Sequence, residues 1–260
     1  MEIKKGVRIG KKAQITVFLI LAILIVAVLF LLFGEKAAKF TTIFTGDSPI
    51  SQIENCIQKN AKEAIDILSV QGGAINPENY YLYESNKVDY VCYTQEYYKL
   101  CIMQKPLLKE SIEKEVKNYL DPKVSDCINS IKTSFERKGY DFFYTKPEIM
   151  TEIVPGSFLI KVKSNIEITK SATENYQEMQ INVESNLYDF VMTATSISNW
   201  EARYGDSETM MYMIYYPNLK VEKKIRIDGT RIYILTNREK QDKFIFATRS
   251  FPVPPGITGN

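Results

Sequence analysis

Apolar and polar positions follow different rhythms along this chain. From Ile15 to Phe33 nineteen consecutive positions carry no charge, and Lys4, Lys5, Arg8, Lys11 and Lys12 precede them. As a helix this run extends about 28 Å at about 1.5 Å per residue, close to the hydrocarbon thickness of a bilayer. The cationic flank belongs to the cytoplasm, so residues after about 34 are expected to be extracellular. The pattern predicts a single-pass protein of the cell membrane, with the lipid bilayer as its first partner. The run is aliphatic and has no small-residue pair as tight as GxxxG, so strong dimerisation inside lipid is not encoded.

Beyond the run the periods shorten to those of folded elements. Gly46-Asp47-Ser48-Pro49 is a stop and restart, with Asp47 or Ser48 as a cap and Pro49 suited to a first turn. Ile50, Ile53, Ile57, Ala61, Ala64 and Leu68 then recur at helical spacing, closed by Gly72-Gly73. Tyr80 to Met103 alternates like paired strands. A second helix is predicted from Pro106 through Ile112, Val116 and Tyr119, broken at Asp121-Pro122. A third runs through Val124, Cys127, Ile128, Ile131 and Phe135 to Gly139.

The second half predicts strands at 158–169 and 176–185. Leu187, Phe190, Val191, Ala194, Ile197 and Trp200 follow as a helical stripe, with Trp200 expected in the core. A short helix is expected from Glu208 to Tyr216. A hairpin of 221–227 and 230–236 then turns through Asp228-Gly229 as a two-residue type I′ turn. A further strand spans 243–250, and the chain ends in a proline-fixed tail. The expected fold class is α+β: an N-terminal transmembrane helix followed by a disulfide-stapled ectodomain of helices and antiparallel sheet. Its divisions are a basic cytoplasmic leader (1–13), a transmembrane helix and stem (14–40), and a helical and hairpin subregion with two disulfides (47–146). An α+β subregion ending in a β-meander (147–250) and a Pro-rich tail (251–260) complete it.

Charge removes one class of partner. Of 33 Lys and Arg, five lie in residues 1–13, leaving 28 against 30 acidic residues in the remainder. That balance provides no electrostatic driver for nucleic-acid binding, and Lys220 to Arg226, interleaved with Val221 and Ile225, reads as the wet face of a strand. The chain has no histidine, so it lacks the commonest general base and metal ligand.

The four cysteines, Cys56, Cys92, Cys101 and Cys127, all fall on the expected oxidising side. Cys92 and Cys101 flank a predicted hairpin, while Cys56 and Cys127 each lie on the buried stripe of a helix. The preferred pairing is Cys92–Cys101 with Cys56–Cys127; the two other connectivities stay open on sequence alone. A catalytic thiol lacks a histidine to activate it, and the spacings lack the close pairs that structural zinc requires. No cofactor, metal site or catalytic residue is expected.

Other motifs read as ordinary structure. Gly72-Gly73 and Gly156 fit no phosphate-cradling pattern. Ser111-Ile112-Glu113-Lys114 matches S-x-x-K, yet the companion elements of penicillin-recognising enzymes are missing at workable spacing. Carboxylates such as Glu110, Glu113 and Glu115 alternate with lysines as solvated helix faces do. The most suggestive cluster is tyrosine: seven between Tyr80 and Tyr98, a residue that favours strands and also suits contact faces. Tyr93, Tyr97 and Tyr98 form the candidate binding face, with Tyr97 and Tyr98 expected at the exposed hairpin tip.

The leader adds a resemblance. Lys11-Lys12-Ala13-Gln14 followed by Ile15-Thr16-Val17-Phe18-Leu19 resembles the class III signal peptide of archaeal type IV pilin-like proteins. The resemblance implies cleavage between Ala13 and Gln14 by a prepilin peptidase, a retained helix, and pilin-like subunits as partners. Two positions depart from it: Gly is usual where Ala13 stands, and Glu is common where Phe18 stands. An uncleaved anchor and removal by signal peptidase are the competing fates, although cleavage after Ala37 or Ala38 would leave Glu35 or Lys36 where a small residue is required. The stretch Gln52 to Gly73 and the strands Arg231-Ile232-Tyr233-Ile234 and Phe244-Ile245-Phe246-Ala247 are similar to those of single-pass surface proteins of small-genome (DPANN-type) archaea, a group that implies location without chemistry. The sequence therefore reads as a non-enzymatic, membrane-anchored, pilin-like surface protein used in assembly or adhesion. An anchored receptor or solute-binding module is the alternative, and an anchored carboxylate hydrolase the third.

Overall fold

Buried Ile50, Ile53, Ile57, Ala61, Ala64, Ile65 and Leu68 form one stripe of helix α1 (Pro49–Ser69), as the 3.6-residue period requires. The computed structural model describes residues 48–251. The apolar run 15–33, the leader with Ala13 and Gln14, the stem to residue 47 and the tail from 252 lie outside them. Among the described residues no helix is long and apolar enough to cross a membrane.

Helix α1 ends as the double glycine predicts. Gly73 N donates to Leu68 O at 2.8 Å, and Gly72 and Gly73 take φ of +72° and +84°. A tyrosine-rich meander follows: β1 (Tyr80–Tyr83), β2 (Asn86–Tyr93) and the short β3 (Ile102–Met103), with β1 and β3 both antiparallel to β2. Helix α2 (Leu108–Glu136) then runs unbroken with Pro122 inside it, so the predicted break at Asp121-Pro122 is corrected. Leu120 and Val124 are both buried on one continuous stripe with Ile112, Val116 and Cys127. Packing on both sides of the proline outweighs the single hydrogen bond it removes.

Four strands make the second sheet: β4 (Asp141–Tyr144), β5 (Glu148–Val154), β6 (Ser157–Thr169) and β7 (Thr173–Glu184). The long β6 is central. It pairs β7 along its length, β5 beside Ser157 to Lys163 and β4 beside Ile166 to Thr169, all antiparallel. The boundary expected near residue 147 falls between β4 and β5, inside this sheet. Residues 49–251 form one compact unit.

Helix α3 (Leu187–Tyr204) ends at Gly205, whose φ is +80°, and helix α4 (Met210–Tyr215) follows. Strands β8 (Leu219–Ile225), β9 (Thr230–Asn237) and β10 (Lys243–Arg249) form the predicted meander. Their first turn differs from the predicted type I′. Gly229 N donates to Arg226 O and Arg226 N to Thr230 O, so Ile227, Asp228 and Gly229 form a three-residue loop with Gly229 left-handed at φ +80°. Asp228 Oδ1 accepts from Thr230 N at 3.1 Å and fixes that loop.

Strand β10 also pairs β2 in parallel, giving a mixed sheet in the order β1-β2-β10-β9-β8. Both faces of this sheet are buried. Tyr233, Leu235, Phe244 and Phe246 enter the main core with the helices and the four-stranded sheet, while Ile232, Ile234, Ile245 and Ala247 pack a smaller cluster with Tyr83, Val88 and Tyr90. The fold is α+β, with two disulfides. Cys56–Cys127 pins α1 to α2 at a Cα–Cα distance of 5.9 Å, and Cys92–Cys101 closes the β2–β3 loop at 5.4 Å.

Candidate functional site

The buried stripe of α3 runs Leu187, Phe190, Val191, Ala194, Ile197 and then Glu201, not Trp200. Trp200 is 50% exposed, which corrects its assignment to the core. Positions 197 and 201 lie one helical turn apart, whereas position 200 is rotated about 100° from 201. The inward position is therefore occupied by a carboxylate, and the indole is turned out.

Glu201 is completely buried and held by opposite charge. Tyr233 donates its hydroxyl proton to Glu201 Oε1, and Arg231 Nη1 lies 3.3 Å from Oε2. Asp206 Oδ1 continues the chain, 3.4 Å from Arg231 Nε and 2.8 Å from Lys223 Nζ. Burial pushes the Glu201 carboxyl above its ordinary 4.5, against the pull of the Arg231 guanidinium. Burial and the neighbouring Glu201 charge push the Tyr233 hydroxyl far up as well. This network fixes the C-terminal end of α3 to β8 and β9, and from that end the chain turns into α4.

None of the six residues of α4 is buried. Tyr212 and Met213 lean on the core, while Met210, Met211, Ile214 and Tyr215 face outward. Trp200 stacks near Tyr204 with ring centroids 4.6 Å apart. Trp200, Met211, Tyr215 and Tyr216 line a hollow of about 540 Å³, and Tyr212, Tyr215 and Tyr216 continue into a cleft of about 630 Å³ towards Tyr188 and Met192. At its floor Ser196 Oγ and Tyr212 Oη share a hydrogen bond of 2.8 Å. The lining offers flat rings, thioethers and a few hydroxyl and amide groups, with Glu208 and Asp189 at the margins. Such a lining is suited to contact by stacking and burial.

The tyrosine face is placed differently. Tyr97 and Tyr98 are exposed with centroids 6.4 Å apart, and Tyr97 lies 5.0 Å from the Phe251 ring. Tyr93 is half-buried against Tyr90 at 4.7 Å, and Arg249 bridges it to Phe251 by facing both rings. Tyr97 and Tyr98 therefore stand together, and Tyr93 is linked to them through Arg249 and Phe251.

Two other buried or partly buried carboxylates are engaged in pairs. Asp89 is buried and paired with Lys105, its carboxyl raised chiefly by burial, and Glu113 accepts from Lys109 and from the Ile153 amide. Among the described residues no three Cys, Asp or Glu side chains gather as a metal site would require.

The α3–α4 surface was the site that sequence reading missed. Its signal was present: Met210 to Tyr216 is seven residues without a polar break apart from tyrosine hydroxyls, and a helix of two turns cannot bury all of its sides. Set against known proteins, the chain matches no family model, no curated protein and no solved structure.

Proposed function

We propose that this chain is a membrane-anchored, pilin-like cell-surface protein that works by contact, in surface assembly or adhesion, and performs no catalysis. The observation that carries the reading is the exposed Trp200, Tyr204, Met211, Tyr215 and Tyr216 surface on a unit closed by two disulfides. Contiguous exposed apolar surface on a folded domain marks an interaction site, and Trp, Tyr and Met are the residues enriched there. The uncharged run 15–33 supports the anchor, and the disulfides support an oxidising location beyond it. On this reading the partners are the bilayer, a prepilin peptidase acting between Ala13 and Gln14, and pilin-like subunits.

Sequencing the N-terminus of the protein from its own membranes tests the proposal. A start at Gln14 in the membrane fraction, with sedimentation alongside filaments, is the expected result. A start near residue 38 in a soluble secreted product overturns the anchor, and a Met1 start removes the pilin route while keeping the anchor.

A second reading rests on the cleft itself. Its volume of about 630 Å³ lies in the range of small-molecule sites, and Asn186, Asn218 and Asn237 provide polar groups around Tyr188, Tyr212 and Tyr216. An anchored solute-binding module would show saturable stabilisation by a soluble ligand, abolished by Tyr212→Ala.

A further inference from the structure

The proposed contact function leaves the occupant of the α3–α4 surface unnamed, and the chemistry of that surface narrows it. We propose that the surface docks a second copy of this chain about a two-fold axis near Trp200. The inference rests on the contact reading given above and specifies its partner.

Area is the first argument. Trp200, Tyr204, Tyr215 and Tyr216 are 50 to 71% exposed. At about 150–250 Å² for each aromatic ring, scaled by these exposures and with half-exposed Met211 added, the patch presents on the order of 550 Å². One partner in a standard protein interface contributes about 800 Å². The patch thus supplies the larger part of one partner's share and can form the centre of such an interface.

Charge at the margin is the second. Trp200 stands between two hollows, one reaching Arg203 and the other Glu208. Both charges are exposed, and neither forms an ion pair among the described residues. A two-fold axis near the indole brings Arg203 of each copy to Glu208 of the other, so the patch is complementary to itself, as an isologous interface requires. A bilayer surface fits less well. Interfacial helices carry several free Lys and Arg around their apolar face, whereas α4 has no basic residue and the nearby Lys223 and Arg231 are already paired with Asp206.

The chain contains a single tryptophan, so its emission reports on this patch alone. The test uses the full chain in nanodiscs and in detergent. Expected results are a dimer in sedimentation, with Trp200 emission shifted to the blue and shielded from iodide as concentration rises. As a separate variant, Trp200→Cys should form a 200–200 disulfide between copies under mild oxidation, since that position lies nearest the axis. Arg203→Glu should raise the dissociation constant at least tenfold, and Arg203→Glu with Glu208→Arg should restore it. Met211→Asp and Tyr215→Asp should yield monomers with unchanged circular dichroism, since neither side chain is buried. A monomer at all concentrations with Trp200 open to iodide overturns the proposal, even if the protein is anchored and cleaved at Gln14. Quenching of Trp200 by brominated lipid in a monomeric chain also overturns it, assigning the patch to the bilayer.

Discussion

Arg231 Nη1 lies 3.3 Å from the buried Glu201 Oε2, and this contact holds the end of α3 onto the sheet. Arg231→Met leaves Glu201 buried without its cation, at an expected cost of about 3–5 kcal/mol at neutral pH. The pH dependence follows from the direction of the Glu201 shift. Its carboxyl is raised above 4.5 by burial, so the folded state binds a proton more tightly than the unfolded chain. The stability this provides is complete below about 4.5 and is lost as pH rises through the raised value. Removing the arginine raises the carboxyl further, so the deficit of Arg231→Met should grow from pH 4.5 to pH 8 in urea titrations. In Glu201→Gln that pH-dependent component should vanish. A deficit that is equal at both ends of the range contradicts the assignment.

The two disulfides close loops of very different length, with sequence separations of 71 and 9 residues. On loop-closure entropy, replacing Cys56 and Cys127 by serine should cost about 4 kcal/mol, and replacing Cys92 and Cys101 about 2.5 kcal/mol. Urea unfolding of the two double variants under non-reducing conditions checks the order. The unreduced protein should also take up no alkylating reagent on denaturation.

Local periodicity made much of this fold legible, and non-local pairing hid the rest. The α1 stripe is readable because residues three and four apart share a face whatever lies opposite. The disulfides are readable because each cysteine sits on a predicted stripe or beside a predicted turn. The parallel pairing of β2 with β10 is another matter: Tyr90 stands opposite Ala247, and no local pattern in either strand names a partner so distant in the chain. Short β4, followed by Lys146-Pro147, gave too few alternations to register as a strand. The site was obscured by a side-chain type. Glu201 occupies the inward position of α3, and the charge made apolar Trp200 the more natural core residue although it lies off the stripe. Only a partly buried Arg231 and a buried Tyr233, both supplied by β9, make that arrangement stable, and neither can be seen from α3.

Two glycines with similar backbone angles should respond very differently to alanine. Gly72 has φ +72°, and a Cβ there would stand 2.9 Å from the carbonyl oxygen of Asp89, a backbone atom that cannot step aside. Gly139 has φ +80° with nothing within 4 Å of the added carbon. Gly139→Ala should therefore cost only the left-handed penalty of about 1–2 kcal/mol. Gly72→Ala should cost about 3–5 kcal/mol, because the clash adds to that penalty. Thermal melts of both variants give the comparison, and equal losses would mean that the turn around Gly72 relaxes freely.

Pro122 provides the sharpest test of why α2 is continuous. It lies inside the helix on an exposed position, between buried Leu120 and Val124. A proline there has no N–H to offer the carbonyl of Asn118, and its ring crowds that carbonyl. If packing of the flanking stripe holds the helix together despite the proline, restoring the N–H should be a gain. Pro122→Ala is expected to raise unfolding stability by about 1–3 kcal/mol, with the unfolded-chain entropy it restores setting the lower end. Far-ultraviolet circular dichroism should keep its shape and the Cys56–Cys127 bridge should still form. Equilibrium urea denaturation supplies the measurement. A loss of stability would show that the proline is instead required, by fixing a bend that the paired helices need in order to bring Cys127 to Cys56.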